Sequence, residues 1–124
     1  VSTVEQIKLN KQKHIKLGNI NISRDWGWAP EYVTLFHKMI NQKKMEDLII
    51  ATGVTVKLKF LIKKIFKYHN LNWIKHIKIE NKLLRKFDTA VIKADNKKIK
   101  KKFKWSPVNT GEDIINNLLK NRLD

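Results

Sequence analysis

L-G-N-I-N-I-S-R-D-W-G-W-A-P-E-Y-V, Leu17 to Val33, brings a strand end, a polar loop and a helix start together in one short stretch. His14 to Asn19 reads as a short strand ending at Gly18, and Ile20 to Gly27 as a turn-rich loop holding R-D-W-G. A helix follows. Pro30 stands at a first helical position, where a missing N–H is no loss, and Glu31 lies in the first turn, where the helix dipole favours an anion. Tyr32, Val33, Phe36, Met39 and Ile40 form the expected apolar stripe, and the helix should end near Gln42 to Lys44.

Working outward from this stretch, Leu48-Ile49-Ile50-Ala51 is an apolar run too short for a helix, closed by Thr52-Gly53, and reads as a buried strand. Leu58, Leu61, Ile62, Ile65 and Phe66 fall at i, i+3, i+4, i+7 and i+8, the most regular helical signature in the chain. Ile74 to Ile79 and Thr89 to Lys93 cluster β-formers and predict two short strands. Asp95 is placed to cap a lysine-rich helix with Ile99 and Phe103 inward, which Trp105-Ser106-Pro107 stops. Thr110-x-x-Asp113 resembles a capping box opening a last helix with Ile114, Ile115, Leu118 and Leu119 inside. The order is a mixed α/β one with small elements. With no internal repeat and no Gly/Ser/Pro linker, residues 1–124 form a single domain's worth of chain.

At 124 residues and 42% hydrophobic, the chain has material for a modest core. It has no cysteine, which excludes disulfides, thiol nucleophiles and cysteine-ligated metals. No apolar run approaches the ~20 residues of a membrane helix, so a cytoplasmic protein with no membrane partner is expected. The chain opens without methionine and runs directly into Val4, Ile7 and Leu9 at roughly helical spacing, which suggests a fragment. The formal net charge of +16 first suggests a polyanion-binding surface. Its texture points elsewhere: of 27 basic residues only Arg24, Arg85 and Arg122 are arginine, the residue that bidentate phosphate and base recognition favour. Lysine spread along the chain beside many Ile and Asn suits a compositional bias at least as well.

Most catalytic constellations fail on this short list of residues. His14, His37, His69 and His76 include no i, i+4 pair beside carboxylates, so no metal site is expected. Gly18, Gly27, Gly53 and Gly111 stand too far apart for a dinucleotide-binding turn. Tyr32 is followed four positions on by Phe36, and Tyr68 by Asn72, so neither tyrosine has the lysine of a short-chain dehydrogenase acid–base pair. No catalytic residue is assigned. Two arginines remain in distinctive settings: Arg24 before a helix, and Arg85 before a strand with Asp88 three residues on. Each arginine can grip a pyrophosphate bidentately, and Asp88 can accept ribose hydroxyls. The alternative is that the arginines merely pair with Asp25 or Asp88 at the surface. Trp26, Trp73 and Trp105 read as packing anchors, Trp28 stays open, and Lys97 to Lys104 reads as a solvated helix face over a small apolar seam.

Leu17 to Val33 resembles the L-G-N-x-x-x-x-R-D-W-G-x-A-x-[DE]-Y-V signature of the GDP-mannose 4,6-dehydratases, an extended branch of the short-chain dehydrogenase/reductases. The similarity continues through Asp47 to Gly53, the helix at Leu58 to Phe66, Leu71-Asn72-Trp73, Arg85-x-x-Asp88, Asp95-x-x-Lys98 and Trp105-x-Pro107, practically the whole chain. The resemblance implies a small mixed α/β substrate-binding lobe whose N-terminal nucleotide-binding domain, carrying NADP and the tyrosine–lysine pair, is missing here. It implies a lyase reaction on the route to GDP-fucose, converting GDP-mannose to GDP-4-keto-6-deoxymannose and water, in a homo-oligomeric parent; this chain alone is incomplete for that chemistry and binds no cofactor. Carried over, Arg24 and Arg85 grip the diphosphate, Asp88 takes the place of a ribose-binding glutamate, and Asn19 lies near the guanine end. Three departures stand out: Asp88 is a methylene shorter than glutamate, Lys86 replaces a proline, and Lys57 replaces a helix-capping serine. The alternative function is a freestanding basic module for nucleic acid or another polyanion, which the scarcity of arginine disfavours.

Overall fold

A computed structural model describes residues 1–44 and 46–120, so Arg122 lies outside the described residues. The elements run α1 (Ser2–Lys8), β1 (Ile15–Leu17), β2 (Ser23–Asp25), α2 (Ala29–Ile40), β3 (Thr55–Lys57), α3 (Leu58–Tyr68), α4 (Trp73–His76), β4 (Ile77–Ile79), a 3-10 turn (Asn81–Leu83), α5 (Lys97–Phe103) and α6 (Glu112–Lys120). β1 and β4 pair in parallel, Ile15 opposite Ile77 and Leu17 opposite Ile79. β2 and β3 pair antiparallel, Arg24 opposite Val56.

α3 is the central helix, and its stripe is buried as its spacing predicts. Ile62 and Phe66 join Val4 and Ile7 of α1 and Ile20 in one cluster, against which Ile15, Leu17 and Ile77 of the parallel pair pack. Leu61, on the adjoining face, packs with Ile115 and Leu119 of α6. Each such side chain contributes about 1.5–3 kcal/mol on full burial, so α3 is fixed by its neighbours. Its N-cap Lys57 supplies no side-chain hydrogen bond, consistent with a helix held by packing.

Five expectations need correction. The loop read over Ile20 to Gly27 contains β2, because its backbone finds a partner in β3 that local turn composition does not reveal. Leu48 to Ala51 is not a strand: it pairs with no backbone among the described residues, Ile49 is 63% exposed, and the Ala51 and Thr52 carbonyls accept hydrogen bonds from the buried Asn96 amide at 3.0 and 2.7 Å. Ile74 to Ile79 splits into α4 and β4, the turn of helix nucleated by the Asn72 carboxamide oxygen accepting from the Ile74 N–H at 3.0 Å. Thr89 to Lys93 contributes only a parallel bridge between Ser23 and Val91. In α2 the buried residue is Leu35, at 0% exposure, flanked by Tyr32 and Met39 against Ile99 and Trp105, whereas Val33, Phe36 and Ile40 point outward.

The remaining helix signals hold with small shifts, except that Leu118, expected inside α6 with Ile114, Ile115 and Leu119, is exposed. Asn96 rather than Asp95 is the N-cap of α5, although Asp95 Oδ1 accepts from the Lys97 N–H at 2.8 Å. Before α6, Asp113 Oδ2 accepts from the Thr110 N–H at 3.2 Å, the backward half of a capping box.

Candidate functional site

β1 ends at Leu17, and the chain turns immediately into the wall of a cavity of about 320 Å³ lined by Gly18, Asn19, Ile22, Arg24, Leu83, Arg85 and Asp88. All four residues singled out from the sequence as ligand-binding candidates therefore meet in one pocket. Gly18 is required by close approach: a Cβ there would meet the backbone carbonyl of Leu83, another lining residue. Asn19 closes a local turn, its Oδ1 accepting from the Asn21 N–H at 2.9 Å.

β2 sends Arg24 across the pocket floor. Its Nη2 donates to Asp88 Oδ1 at 2.7 Å, and its Nη1 donates to the carbonyls of Thr89 at 2.7 Å and Ser23 at 2.9 Å. The pair is largely shielded, with side chains 20% and 14% exposed. One anticipated alternative is thus realised for Arg24, which does pair with Asp88, but inside the pocket rather than on an open surface. Arg85 is exposed and makes no hydrogen bond or ion pair with the described residues. A fixed cation and a free one face the same cavity.

The rest of R-D-W-G holds the frame. Asp25 Oδ1 accepts from the Thr52 N–H at 2.9 Å and the Thr52 hydroxyl at 2.8 Å, and its Oδ2 accepts from the Gly53 N–H at 2.7 Å. Trp26 Nε1 donates to the Val56 carbonyl at 3.0 Å, tying β2 to β3 from the side. At Gly27 the place of a side chain is filled by the Tyr32 ring, whose phenol is held above its usual 10.0 by burial and by the Asp25 and Glu31 carboxylates. Glu31 accepts from the Val108 and Asn109 N–H groups at 3.1 and 3.0 Å. That role was not legible beforehand, since the partners are 77 and 78 positions away.

The other sequence candidates sort as follows. Trp105 packs edge-on to Tyr32 with ring centroids 5.9 Å apart, and the Trp73 ring lies under the Lys59 and Lys63 ammoniums at 5.3 and 5.5 Å. The Lys97 to Lys104 run is only partly a solvated face: Lys98 pairs with Glu46 at 3.0 Å and Lys102 pairs with it as well. Among the described residues no three His, Cys, Asp or Glu side chains gather as metal ligands, and no helix is long and apolar enough to cross a membrane. A larger groove of about 640 Å³ between α2 and α5 is lined by apolar side chains such as Phe36, Met39 and Phe103 and by as many polar or charged ones, and contains neither arginine.

The sequence model of the family described as GDP-mannose 4,6 dehydratase matches residues 1–118. The chain belongs to the GDP-mannose 4,6-dehydratase family. GDP-mannose 4,6 dehydratase 1 of Arabidopsis thaliana is 35% identical over 102 residues, covering 82% of this chain, and the match spans 28% of that relative's length. Among solved structures, RMD from Pseudomonas aeruginosa complexed with NADPH superposes with a TM-score of 0.79 at 14% identity, over 96% of this chain and 39% of that one. A dTDP-glucose 4,6-dehydratase from Bacillus anthracis in complex with NAD gives 0.76 at 16% identity, over 95% and 37%. The expected mixed α/β fold of an extended short-chain dehydrogenase/reductase is the one shared with these chains, and this chain spans 39% and 37% of their lengths.

Proposed function

We propose that this chain is the GDP-sugar-binding lobe of a cytoplasmic GDP-mannose 4,6-dehydratase, with Arg24 and Arg85 gripping the diphosphate, Asp88 beside the ribose and Asn19 toward the guanine. The observation that carries this reading is the convergence of those four side chains on one cavity, in a chain of the dehydratase family. Two guanidiniums against one carboxylate leave that cavity with a net positive charge, which suits a diphosphate. Arginine also matches phosphate oxygens two at a time, which lysine does not.

In this reading, turning GDP-mannose into GDP-4-keto-6-deoxymannose and water also needs NADP, which takes hydride from the sugar and returns it. The described residues do not fit that cofactor. Among them, Gly27 is the glycine at a strand-to-helix turn, and Tyr32 occupies the space a pyrophosphate would require. Cofactor and acid–base pair belong, on this proposal, to the part of the relatives' length that this chain does not cover, in a homo-oligomeric enzyme. The chain's own residues bind and orient: Arg24 is fixed before the ligand arrives, and Arg85 closes on it.

Calorimetric titration of GDP into the chain tests the reading. Binding should be lost or weakened at least tenfold in Arg24→Ala and in Arg85→Ala, as expected for a charge-assisted contact of about 1.5–3 kcal/mol, and retained in Lys100→Ala/Lys101→Ala. Equal losses from the lysine pair, or no GDP binding by the folded chain, would overturn it; the former outcome, with DNA binding that falls steeply with salt, would instead indicate a general polyanion surface.

A further inference from the structure

We propose that Asp88 is a positioning residue for Arg24, acting on bound phosphates through the guanidinium rather than solely by touching a sugar; this rests on the reading of the pocket as a nucleoside-diphosphate site. Three of the five N–H groups of Arg24 are spent on Asp88, Thr89 and Ser23. The two that remain are therefore held in one orientation before any ligand arrives. Asp88 is the charged member of that set, and its side chain is the less exposed of the pair. Arg85, facing the same cavity, has no such holder among the described residues.

The pairing also ties the site to the frame. The segment that follows Asp88 is stitched to β2 by Ser23 N–H donating to the Ala90 carbonyl at 2.7 Å and Ile92 N–H donating to the Ser23 carbonyl at 3.1 Å. Arg24 thus spans the gap between β2 and the chain carrying Arg85, and the Asp88 carboxylate fixes how far into the cavity its free donors reach. An aspartate suits this role because a short side chain leaves little slack between the backbone and the guanidinium. One oxygen, Oδ1, is used, and Oδ2 makes no hydrogen bond with the described residues.

Simple electrostatics and positioning predict opposite signs. A carboxylate close to an anion repels it, so if Asp88 acted by charge alone, removing it would tighten phosphate binding. If it positions Arg24, removing it weakens binding. Inorganic pyrophosphate separates positioning from a sugar contact, because it has no ribose.

The experiment titrates pyrophosphate and GDP, at fixed salt, into the chain carrying Asp88→Ala, Asp88→Asn, Asp88→Glu, Arg24→Ala and the Arg24→Ala/Asp88→Ala double change. Asp88→Ala is expected to weaken both ligands by about tenfold, the order of one hydrogen bond to a charged group. Asp88→Asn should fall between it and the parent, and Asp88→Glu, which can still reach the guanidinium, should recover part of the loss. In the Arg24→Ala background, removing Asp88 should cost nothing further. The near-isosteric Asp88→Asn carries the test if Asp88→Ala proves unfolded by circular dichroism. Pyrophosphate binding unchanged or tightened while GDP weakens would overturn the proposal in favour of a ribose contact. Failure of the parent chain to bind GDP at all would instead sink the reading of the pocket itself.

Discussion

Asp25 is adjacent to the pocket arginine in sequence, yet it should behave as a residue of the fold, and Asp25→Ala separates the two roles. The carboxylate accepts three hydrogen bonds, from the Thr52 N–H, the Thr52 hydroxyl and the Gly53 N–H, at 2.7–2.9 Å. Hydrogen bonds to a charged group contribute about 1.5–3 kcal/mol each, and the three are not additive. The hydroxyl keeps a partner, since its single proton can turn to the Val54 carbonyl 3.2 Å away, and the Gly53 N–H, in a half-buried residue, can recover water in part. The Thr52 N–H cannot, because Thr52 is 3% exposed. Stranding that donor and losing a second bond sums to about 3 kcal/mol. At an m-value of about 2 kcal/mol/M this is a fall of about 1.5 M in the urea midpoint, read through the fluorescence of neighbouring Trp26. Asp95→Ala is the control: its exposed side chain accepts one backbone hydrogen bond from Lys97 and stands 3.8 Å from the Lys97 ammonium, so its midpoint should move by about 0.5 M or less. A midpoint for Asp25→Ala no lower than that of the control would refute the argument that this carboxylate holds the Thr52–Gly53 turn.

Leu35→Ala should cost about 2–5 kcal/mol, since a fully buried side chain is removed from contact with Ile99 and Trp105, while Ile40→Glu, at a site 73% exposed, should stay within about 0.5 kcal/mol; thermal unfolding of both chains checks the pair. Gly18→Ala should push the Leu83 backbone out of the pocket wall, lowering stability by about 1–3 kcal/mol and weakening GDP in calorimetry even under conditions where the chain stays folded. His69 titrates below its usual 6.5, chiefly because burial disfavours the imidazolium and secondarily because Lys8 is close, with Glu5 opposing. Its folded value being the lower one, the unfolded chain takes up the proton first, so the stability it contributes is present above about pH 6.5 and drains away as pH falls through the folded value. His14 shifts in the same direction, so the measurement is the difference in pH dependence between the parent and His69→Gln, which should be flatter just below pH 6.5.

Periodicity exposed α3 because its demands are local: five apolar residues on one face leave few other structures open, and packing on both sides of that face fulfilled them. The stripe on α2 was read one step out of phase. Tyr32 and Met39 were rightly placed, but Leu35, the residue between them, is the buried one, while Val33, Phe36 and Ile40 are exposed. Six large apolar residues around one helix fix no unique face, so the choice falls to what lies beneath, here Ile99 of α5 and Trp105. β1 lies within the strand read over His14 to Asn19, and the strands that were misread failed for a related reason. Three-residue strands such as β2 and β3 are defined by their partner's backbone, and Leu48 to Ala51, apolar enough for a strand, has no strand partner among the described residues. Asn19, Arg24, Arg85 and Asp88, picked out by residue type and setting, share a cavity, but Leu83 and Gly18 as its walls were not legible, because a close backbone approach leaves no chemical mark beyond a glycine.

A linear motif as long as Leu17 to Val33 is specific because adjacent residues answer to unrelated constraints. Gly18 answers to the Leu83 carbonyl, Arg24 to Asp88 and the Thr89 carbonyl, Asp25 to the Thr52–Gly53 turn, Trp26 to the Val56 carbonyl, Gly27 to the Tyr32 ring, and Glu31 to the N–H groups of Val108 and Asn109. These partners are spread from position 32 to position 109, so the stretch works as a hub on which most of the later chain converges. Substitution at one position is poorly compensated by its neighbours in sequence, since apart from Gly27 these residues contact three distant segments, 52–56, 83–89 and 108–109. This explains why the motif combines pocket and frame residues without separating them. The guanidinium that faces the cavity is aimed by a strand whose next residue anchors the turn before β3, so pocket geometry and fold stability draw on the same few residues. Changes that loosen the frame at Asp25 or Gly27 should therefore weaken ligand binding by lowering the folded population, whereas changes at Arg85, which holds nothing else in place among the described residues, should affect the ligand alone.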